Sequence, residues 1–441
     1  MPRAAKPSGR DTTGKRRAAP APGKAASPRT QQRATRSAGK QKQPVRLPAG
    51  KGSGGAGRPR AGLQRVMLHT TSLHAESLTQ LAAPRWRTAL RRRLLAWYDR
   101  GARDLPWRRS RDPYLVWVSE IMLQQTVVAA VVPYFQRFVA RFPTVEALAN
   151  AAEEEVLRLW EGLGYYRRAR QLHGAAQVVR NRHAGVFPRD IAEVRRLPGI
   201  GRYTAGAILS ISFDDPHPIL EANTVRLLAR LLAYEGVTTS SSGQQILWGA
   251  AETLLPRRDT GRFNQALMEL GSQVCTPRNP RCDECPLAEL CPTHREGLTE
   301  QIPAVRPRPT IEEVREAAVV VRRQKNVLLV RRQAGERWAG LWDFPRFALP
   351  AGSANISQAL IDGVARSAGW RVAPGRLLMT IRHSVTRFRI TLDCYEADCL
   401  GAVKEHPTHA ETRWVAPRAL ADFPLSTSAR KLARRVAESA S

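Results

Sequence analysis

Two glutamates, one tyrosine and four cysteines stand in this chain where packing and solubility alone would not place them. Glu120 interrupts an apolar helical pattern, Val116-Trp-Val-Ser-Glu-Ile-Met-Leu123. A carboxylate buried there is costly unless it is partnered or does chemistry, and desolvation would raise its pKa and keep a proton available. Glu221 sits beside Asn223, again among apolar neighbours, in Pro218-Ile-Leu-Glu-Ala-Asn-Thr-Val225. Some twenty residues earlier, Leu197-Pro-Gly199-Ile-Gly201-Arg202-Tyr203 punctuates two helical patterns. Glycine belongs where the backbone takes positive φ or comes close to a ligand. The second helix starts at once, so its free N–H groups leave the turn, and Arg202 adds a cation; this combination suits a phosphate. Taken alone, the glycines also fit a plain tight turn between helices. With an acid beside it, a phosphate-gripping turn points to chemistry on a nucleic acid.

Cys275, Cys282, Cys285 and Cys291 are separated by six, two and five residues. Four thiolates so spaced bind either zinc or an iron–sulfur cluster, and spacing alone favours neither. The remaining cysteines, Cys394 and Cys399, read as ordinary thiols of a strand-rich region.

The elements that must position these groups follow from the pattern. The chain has 441 residues, is 43% hydrophobic and carries a formal charge of +32. That length suggests two or three domains, and that charge a nucleic acid or an anionic surface as partner. No run is long and apolar enough for a transmembrane helix, and no apolar signal segment opens the chain. Residues 1–70 hold 17 Lys/Arg against a single acid, Asp11. Such a segment cannot offset its ordering entropy, and a disordered basic arm is expected over residues 1–82. A predominantly helical region follows. Helices are expected over Trp86–Tyr98, from Asp112, over Pro133–Phe142, over Val145–Trp160, over Arg167–Arg182, on both sides of the Pro198–Gly201 turn, and over Gln244–Leu255 and Arg262–Gln273. A proline-rich linker spans 301–312. Beyond it the period changes to that of strands at Ala317–Arg322, Val327–Arg332, Leu377–His383, Phe388–Glu396 and Thr412–Val415, with helices at Ile356–Ala368 and Thr427–Glu438.

With these motifs in order, a resemblance can be stated. The hairpin with its downstream acid resembles the helix-hairpin-helix base-excision DNA glycosylases, and the cysteine spacing is that of the 4Fe–4S loop in their endonuclease III-like members. Trp107-Arg108, Ser119–Thr126, Gly162-Leu-Gly-Tyr-Tyr-Arg167, Phe263-Asn-Gln265 and Trp338–Pro345 resemble the adenine DNA glycosylases of the MutY family, over roughly residues 85–440. The resemblance implies a multidomain chain. A mostly α-helical helix-hairpin-helix glycosylase domain with an iron–sulfur loop (83–300, the loop at 275–291) precedes an α+β Nudix-like lesion-recognition domain (313–441). It implies a monofunctional enzyme that hydrolyses the N-glycosidic bond of adenine mispaired with 8-oxoguanine or guanine. Its partner is double-stranded DNA and its cofactor a 4Fe–4S cluster on the four cysteines. A monomer is expected, in a bacterial cytoplasm near the nucleoid, or in the nucleus or an organelle of a eukaryote.

Residue by residue, Glu120 matches the general acid that protonates adenine at N7, and Glu221 the acid that stabilises the sugar cation, with Asn223 beside it. Two carboxyl groups with divided roles are also the logic of glycoside hydrolysis. Tyr203 stands where bifunctional relatives carry a lysine, and tyrosine forms no imine, so strand cleavage by β-elimination is not expected. Trp107 and Arg108 match the adenine pocket. Gln125 and Tyr165 match residues inserted into the DNA stack, with Leu123 and Gln124 among the DNA contacts, and Gly199, Gly201 and Arg202 form the phosphate turn. Thr386 falls at the serine of the lesion-reading loop. Two departures stand out: Glu221-Ala222-Asn223 replaces Asp-Gly-Asn, and Val385-Thr386-Arg387 replaces Phe-Ser-His. They leave an altered base preference, or a mismatch binder of weak activity, as alternatives. No Nudix catalytic box follows Phe344-Pro345, so nucleotide hydrolysis is not expected.

Overall fold

The computed structural model describes residues 61–304, 310–350, 355–403, 407–408 and 411–439. The predicted basic arm up to residue 60 and part of the linker lie outside the described residues. The arm's expected boundary at 82 is corrected: Ala61–Ala82 is a helix, α1, whose Leu73 and Leu81 are buried against the helices that follow. The basic composition before residue 60 obscured an apolar spacing that starts at Leu63.

The helical part continues through α2 (Pro84–Gly101), α3 (Pro113–Leu123), α4 (Val128–Arg141), α5 (Val145–Asn150), α6 (Glu153–Trp160), α7 (Arg167–Arg182), α8 (Ile191–Arg196), α9 (Arg202–Phe213), α10 (Ala222–Leu231), α11 (Ser241–Leu254), α12 (Thr260–Gln273) and the short α13 (Pro292–Arg295). Many starts are written locally. Asp112 accepts from the Tyr114 N–H ahead of Pro113, and Thr144, Asp190, Glu221 and Ser240 cap α5, α8, α10 and α11; such side chains satisfy backbone donors that a helix start leaves free. The single helix expected over 145–160 is two, because Ala151 and Ala152 are extended. The break lets Glu153, Glu154 and Glu155 begin α6, where negative charge meets the positive end of the helix dipole.

These helices bury two separate cores. One gathers Trp117, Phe138, Phe142 and Trp160 from α3, α4 and α6. The other gathers Leu90, Leu228, Leu247, Phe263 and Leu270 from α2 and α10 to α12. Glu120 belongs to an element of the first core and Glu221 to an element of the second.

The C-terminal part is a seven-stranded sheet: β1 (Glu312–Arg323), β2 (Asn326–Arg331), β3 (Trp342–Asp343), β4 (Arg346–Ala348), β5 (Trp370–Val385), β6 (Phe388–Ala402) and β7 (Thr412–Val415), with α14 (Ile356–Ala368) and α15 (Thr427–Glu438). The order is β3-β2-β1-β6-β5, with β4 beside β1 and β7 beside β2. β1 and β6 run parallel, the other pairs antiparallel. Ala318 and Val320 face a core closed by α15, while Ala317, Val319 and Val321 face one closed by α14. Burial on both faces explains the unbroken apolar run in β1. The strands outrun their sequence expectation, since only their apolar middles are visible as strand pattern. The charged flank of β1 is held by cross-strand pairing instead, as where Glu313 opposite Arg389 forms a 2.6 Å ion pair. No helix among the described residues is long and apolar enough to cross a membrane.

Candidate active site

α3 and α10 bring the two acids into one cleft of about 780 Å³. Glu120, five per cent exposed, comes from the apolar α3. The Tyr203 hydroxyl, from the first turn of α9, donates to its Oε2 at 2.6 Å and lies 3.3 Å from Met268 Sδ. Burial pushes the Glu120 pKa up to about 7; the charge of Glu221 pushes the same way, against the Tyr203 hydrogen bond and Arg108. A carboxyl raised into that range can hold a transferable proton near neutral pH.

Glu221 has a different environment. Its side chain caps α10, taking 2.8 and 2.9 Å hydrogen bonds from the N–H groups of Asn223 and Thr224, while the Thr224 hydroxyl returns one from the Glu221 N–H at 2.8 Å. Burial raises its pKa, and those two N–H groups, with Arg226 behind them, oppose the rise. The two acids thus differ in setting: an apolar helix favours the protonated form of Glu120, while two backbone donors at Glu221 work against the rise that its own burial causes. The capping role and the place in the cleft belong to the same residue, because the helix start is the cleft wall.

Trp107, Arg108, Leu123, Gln124, Gln125 and Asn223 line the same cleft. Trp107 is buried edge-on against Phe135, its ring centroids 5.4 Å apart. Arg108 is committed to Glu269 at 2.8 Å, which Arg103 also binds at 2.7 Å. Burial raises the pKa of Glu269, but the two guanidiniums outweigh it and hold it at about 2. Sequence reasoning does not single out Glu269, whose partners lie some 160 positions away. Among the described residues no lysine lines the cleft.

α10 also joins the cleft to the cysteines. Arg226 donates to Asn223 Oδ1 at 3.0 Å, to the Gly271 carbonyl at 2.6 Å and to the Cys275 carbonyl at 2.7 Å. One turn on, Arg230 donates to Cys275 Sγ at 3.3 Å and to the carbonyls of Thr276, Thr299 and Ile302. The close approach of α12 needs Gly271, since a Cβ there would meet that of Asn223 at 2.8 Å. Both arginines were missed as site residues, although arginines four apart in Val225-Arg-Leu-Leu-Ala-Arg-Leu231 are the visible signal.

All four cysteines line one further cavity, with Leu227, Arg230 and Leu287. Burial pushes Cys285 up to about 12 and Cys291 to about 11, and the charges of Cys275 and Cys282 add to both rises. Cys275 is buried and the other three half-buried, so four thiolates brought together here call for a positively charged centre to balance them. Among the described residues no three His, Cys, Asp or Glu side chains close around a single ion. The sulfurs ring a cavity instead, which suits a multi-iron cluster.

The DNA-facing candidates lie on two turns. Gln125 (φ 56°) follows α3 and Tyr165 (φ 49°) precedes α7; both are exposed in left-handed backbone, strained for side chains of this size. The Arg168 guanidinium buckles these turns together. It donates to the carbonyls of Ile121 (2.8 Å), Met122 (3.0 Å) and Gln124 from one side, and of Leu163 and Gly164 (3.4 Å each) from the other. Tyr165 and Thr386 do not reach the cleft of the acids. They face a second cavity of about 1100 Å³, with Trp338, His383 and Ser384, between the helical part and the sheet. Thr386 (φ 53°) is the exposed tip of the β5–β6 hairpin. Gly199 takes φ 79° in the turn from α8 to α9, and Gly201 precedes α9 without a side-chain cap. Arg202, expected as a free cation, is paired with Glu252 and stacked 3.8 Å from the Trp248 ring centroid.

Comparison with known proteins supplies the family. Residues 118–252 match the model of the HhH-GPD superfamily of base excision DNA repair proteins, residues 275–291 that of the iron-sulfur binding domain of endonuclease III, and residues 317–435 that of the NUDIX domain. The adenine DNA glycosylase of Rattus norvegicus is 35% identical over 400 residues, covering 79% of this chain and 78% of that protein. The chain belongs to the adenine DNA glycosylase family. The Homo sapiens member is 34% identical over 402 residues, 79% of this chain and 74% of that one; that of Buchnera aphidicola (from Acyrthosiphon pisum) is 37% identical over 255, 58% and 73%. As a family member the protein is a base-excision DNA glycosylase, DNA is its partner, and it carries a 4Fe–4S cluster.

Proposed function

We propose that the protein excises adenine from duplex DNA where it lies opposite 8-oxoguanine, by hydrolysis without strand cleavage. The observation that carries this reading is the pair of acids in one cleft: Glu120 at about 7, bonded to Tyr203, facing Glu221 on its helix start. Glu120 donates its proton to the ring of the extruded adenine. The bond from C1′ to N9 breaks and its electrons leave with the base. Glu221, whose carboxylate accepts two backbone N–H groups, stabilises the sugar cation until water adds to C1′ and gives up a proton to the Glu120 carboxylate. Tyr203 orients Glu120; with no lysine among the described residues of the cleft, no imine to the sugar forms.

Adenine must leave the stack to reach this cleft, and Gln125 and Tyr165 fill the gap. Trp107 and Arg108 wall the base, Leu123, Gln124 and Asn223 complete the cleft, and Gly199, Gly201 and Arg202 meet a phosphate. The cavity between Tyr165 and the Thr386 hairpin supports recognition of the opposite base there. Residues 61–300, α1 included, act as the glycosylase domain and 313–441 as the lesion reader, joined by 301–312. Cys275, Cys282, Cys285 and Cys291 would hold the cluster, which would cross-link the 275–291 loop. A DNA repair role places the protein where the genome is, at the nucleoid or in the nucleus. Single-turnover excision from duplexes carrying adenine opposite 8-oxoguanine, adenine opposite guanine, or another base in its place tests the reading. Equal rates opposite both guanines would remove the lesion preference, and release of a different base would overturn the substrate.

A further inference from the structure

The turn that carries Tyr165 is gripped at both ends by one corner of the C-terminal domain. At its start, Glu161 closes α6 and takes a fork from Arg430 of α15: Nε to Oε1 at 2.7 Å and Nη2 to Oε2 at 2.8 Å. The Leu425 N–H adds a third bond to the same carboxylate at 3.3 Å. At its end, the Tyr166 hydroxyl donates to the Leu425 carbonyl at 3.3 Å and accepts from the Gly162 N–H at 3.4 Å. Arg430 is fixed in turn by the carbonyls of Leu420 (2.7 Å) and Phe423 (2.6 Å), so its fork has little freedom. Each side chain of the pair is 16% exposed. Screening by water is therefore weak, and the fork is the geometry in which an ion pair fixes a position as well as contributing energy. A further bond ties the same helix to the sheet: Trp342 Nε1 donates to Glu154 Oε1 at 3.1 Å. Between the two grips lie Gly162 (φ 103°), Gly164 (φ 70°) and Tyr165 (φ 49°), three left-handed residues in four.

We propose that Glu161 and Arg430 are positioning residues, an interdomain latch through which the sheet domain sets the height and direction of Tyr165 against the DNA. Four residues between two anchors leave the tyrosine no independent path, so a shift of the corner at Leu420–Arg430 becomes a shift of the ring. The domain that meets the opposite base and the residue that enters the stack then act as one rigid unit. The proposal rests on the reading of Tyr165 as the inserted residue.

The test measures equilibrium binding of the full chain to a duplex with adenine opposite 8-oxoguanine, by fluorescence anisotropy. The variants are Glu161→Gln, Arg430→Met, Tyr165→Ala and the doubles with Tyr165→Ala. Each latch variant should weaken binding about tenfold, within the span of coupling seen between contacting groups. The doubles should bind no more weakly than Tyr165→Ala alone, because the latch acts only through the ring. The pH midpoint of single-turnover excision should stay in place, which a general loosening of the fold would not leave so. Should Arg430→Met fail to fold, Arg430→Lys carries the same expectation, since it keeps the charge and loses the fork. Tyr165→Ala weakening while Glu161→Gln binds as the parent overturns the latch alone. Losses that multiply in the doubles also overturn it. Unchanged binding by Tyr165→Ala overturns both the inserted tyrosine and the latch built on it.

Discussion

The proton on Glu120 should be visible in the pH dependence of excision, and its neighbours set the direction in which each variant moves it. A carboxyl with a pKa of about 7 is about nine-tenths protonated at pH 6, half at pH 7 and about one-tenth at pH 8. If the protonated form delivers the step, the single-turnover rate at saturating enzyme falls about tenfold from pH 6 to pH 8 and tenfold more by pH 9. The Tyr203 bond favours the anion, so Tyr203→Phe should move the midpoint to higher pH. The Glu221 charge disfavours the anion, so Glu221→Gln should move it to lower pH, whatever happens to the maximal rate. Glu120→Gln should lose the pH dependence together with about 10²- to 10⁴-fold in rate. Quenched-flow excision across pH 5.5–9, with binding measured at each pH, provides the data. A flat profile in the parent, or variants that move the midpoint the opposite way, would refute the assignment of the proton to Glu120.

Other changes have equally definite outcomes. Glu221→Ala removes an anion and a helix cap together, so excision should drop by about 10²–10³-fold and stability by about 1 kcal/mol, while Glu221→Asp keeps measurable excision; full activity in the alanine variant would reject the role. Arg226→Met leaves the Gly271 and Cys275 carbonyls without their donor, which should cost about 2 kcal/mol. Its iron content should fall with its melting temperature, and parental values of both would count against the α10 link. Anaerobically purified parent should contain iron and acid-labile sulfide, and stoichiometric zinc in their place would contradict the cluster. Removal of residues 1–60, with their 16 Lys/Arg against one acid, should lower the log–log salt slope of DNA binding by about 0.9 for each phosphate that the segment neutralises. An unchanged slope would mean that this segment does not touch DNA.

What the sequence made legible was whatever a single residue or short spacing carries. Glu120 announced itself as an acid inside an apolar helix, and the cysteines by their six-two-five spacing. The Pro198–Gly201 turn was legible through its glycines. Glu221 was visible as an acid out of place close to a helix start near Asn223; that one side chain would both cap α10 with two hydrogen bonds and line the cleft was not, because the tertiary fold decides what that helix start faces. The partners of buried arginines were out of reach for a different reason. Arg168 collects carbonyls from residues more than forty positions away, and Arg430 a carboxylate 269 positions away. Carbonyls are present in every residue, so no side-chain pattern marks which will be left for a guanidinium. Strand ends suffered likewise: Glu312–Glu316 looks like solvent-facing chain until Arg315 meets Asp393 and Arg389 meets Glu313.

The Arg168 buckle has a consequence for how such a protein would travel along DNA. Gln125 and Tyr165 come from turns forty residues apart, yet one guanidinium joins their backbones. The backbones that carry the two side chains are tied to one another, so as inserted residues they would form a wedge on a shared base. Such a wedge probes each base step it passes with the same force, and dwell is then decided by the duplex. Steps that unstack cheaply, such as pyrimidine–purine steps, would hold the protein longer than stiff A-tracts even where every base is intact. Its residence on undamaged sequence would thus map duplex deformability, a record that single-molecule tracking can read without any lesion present.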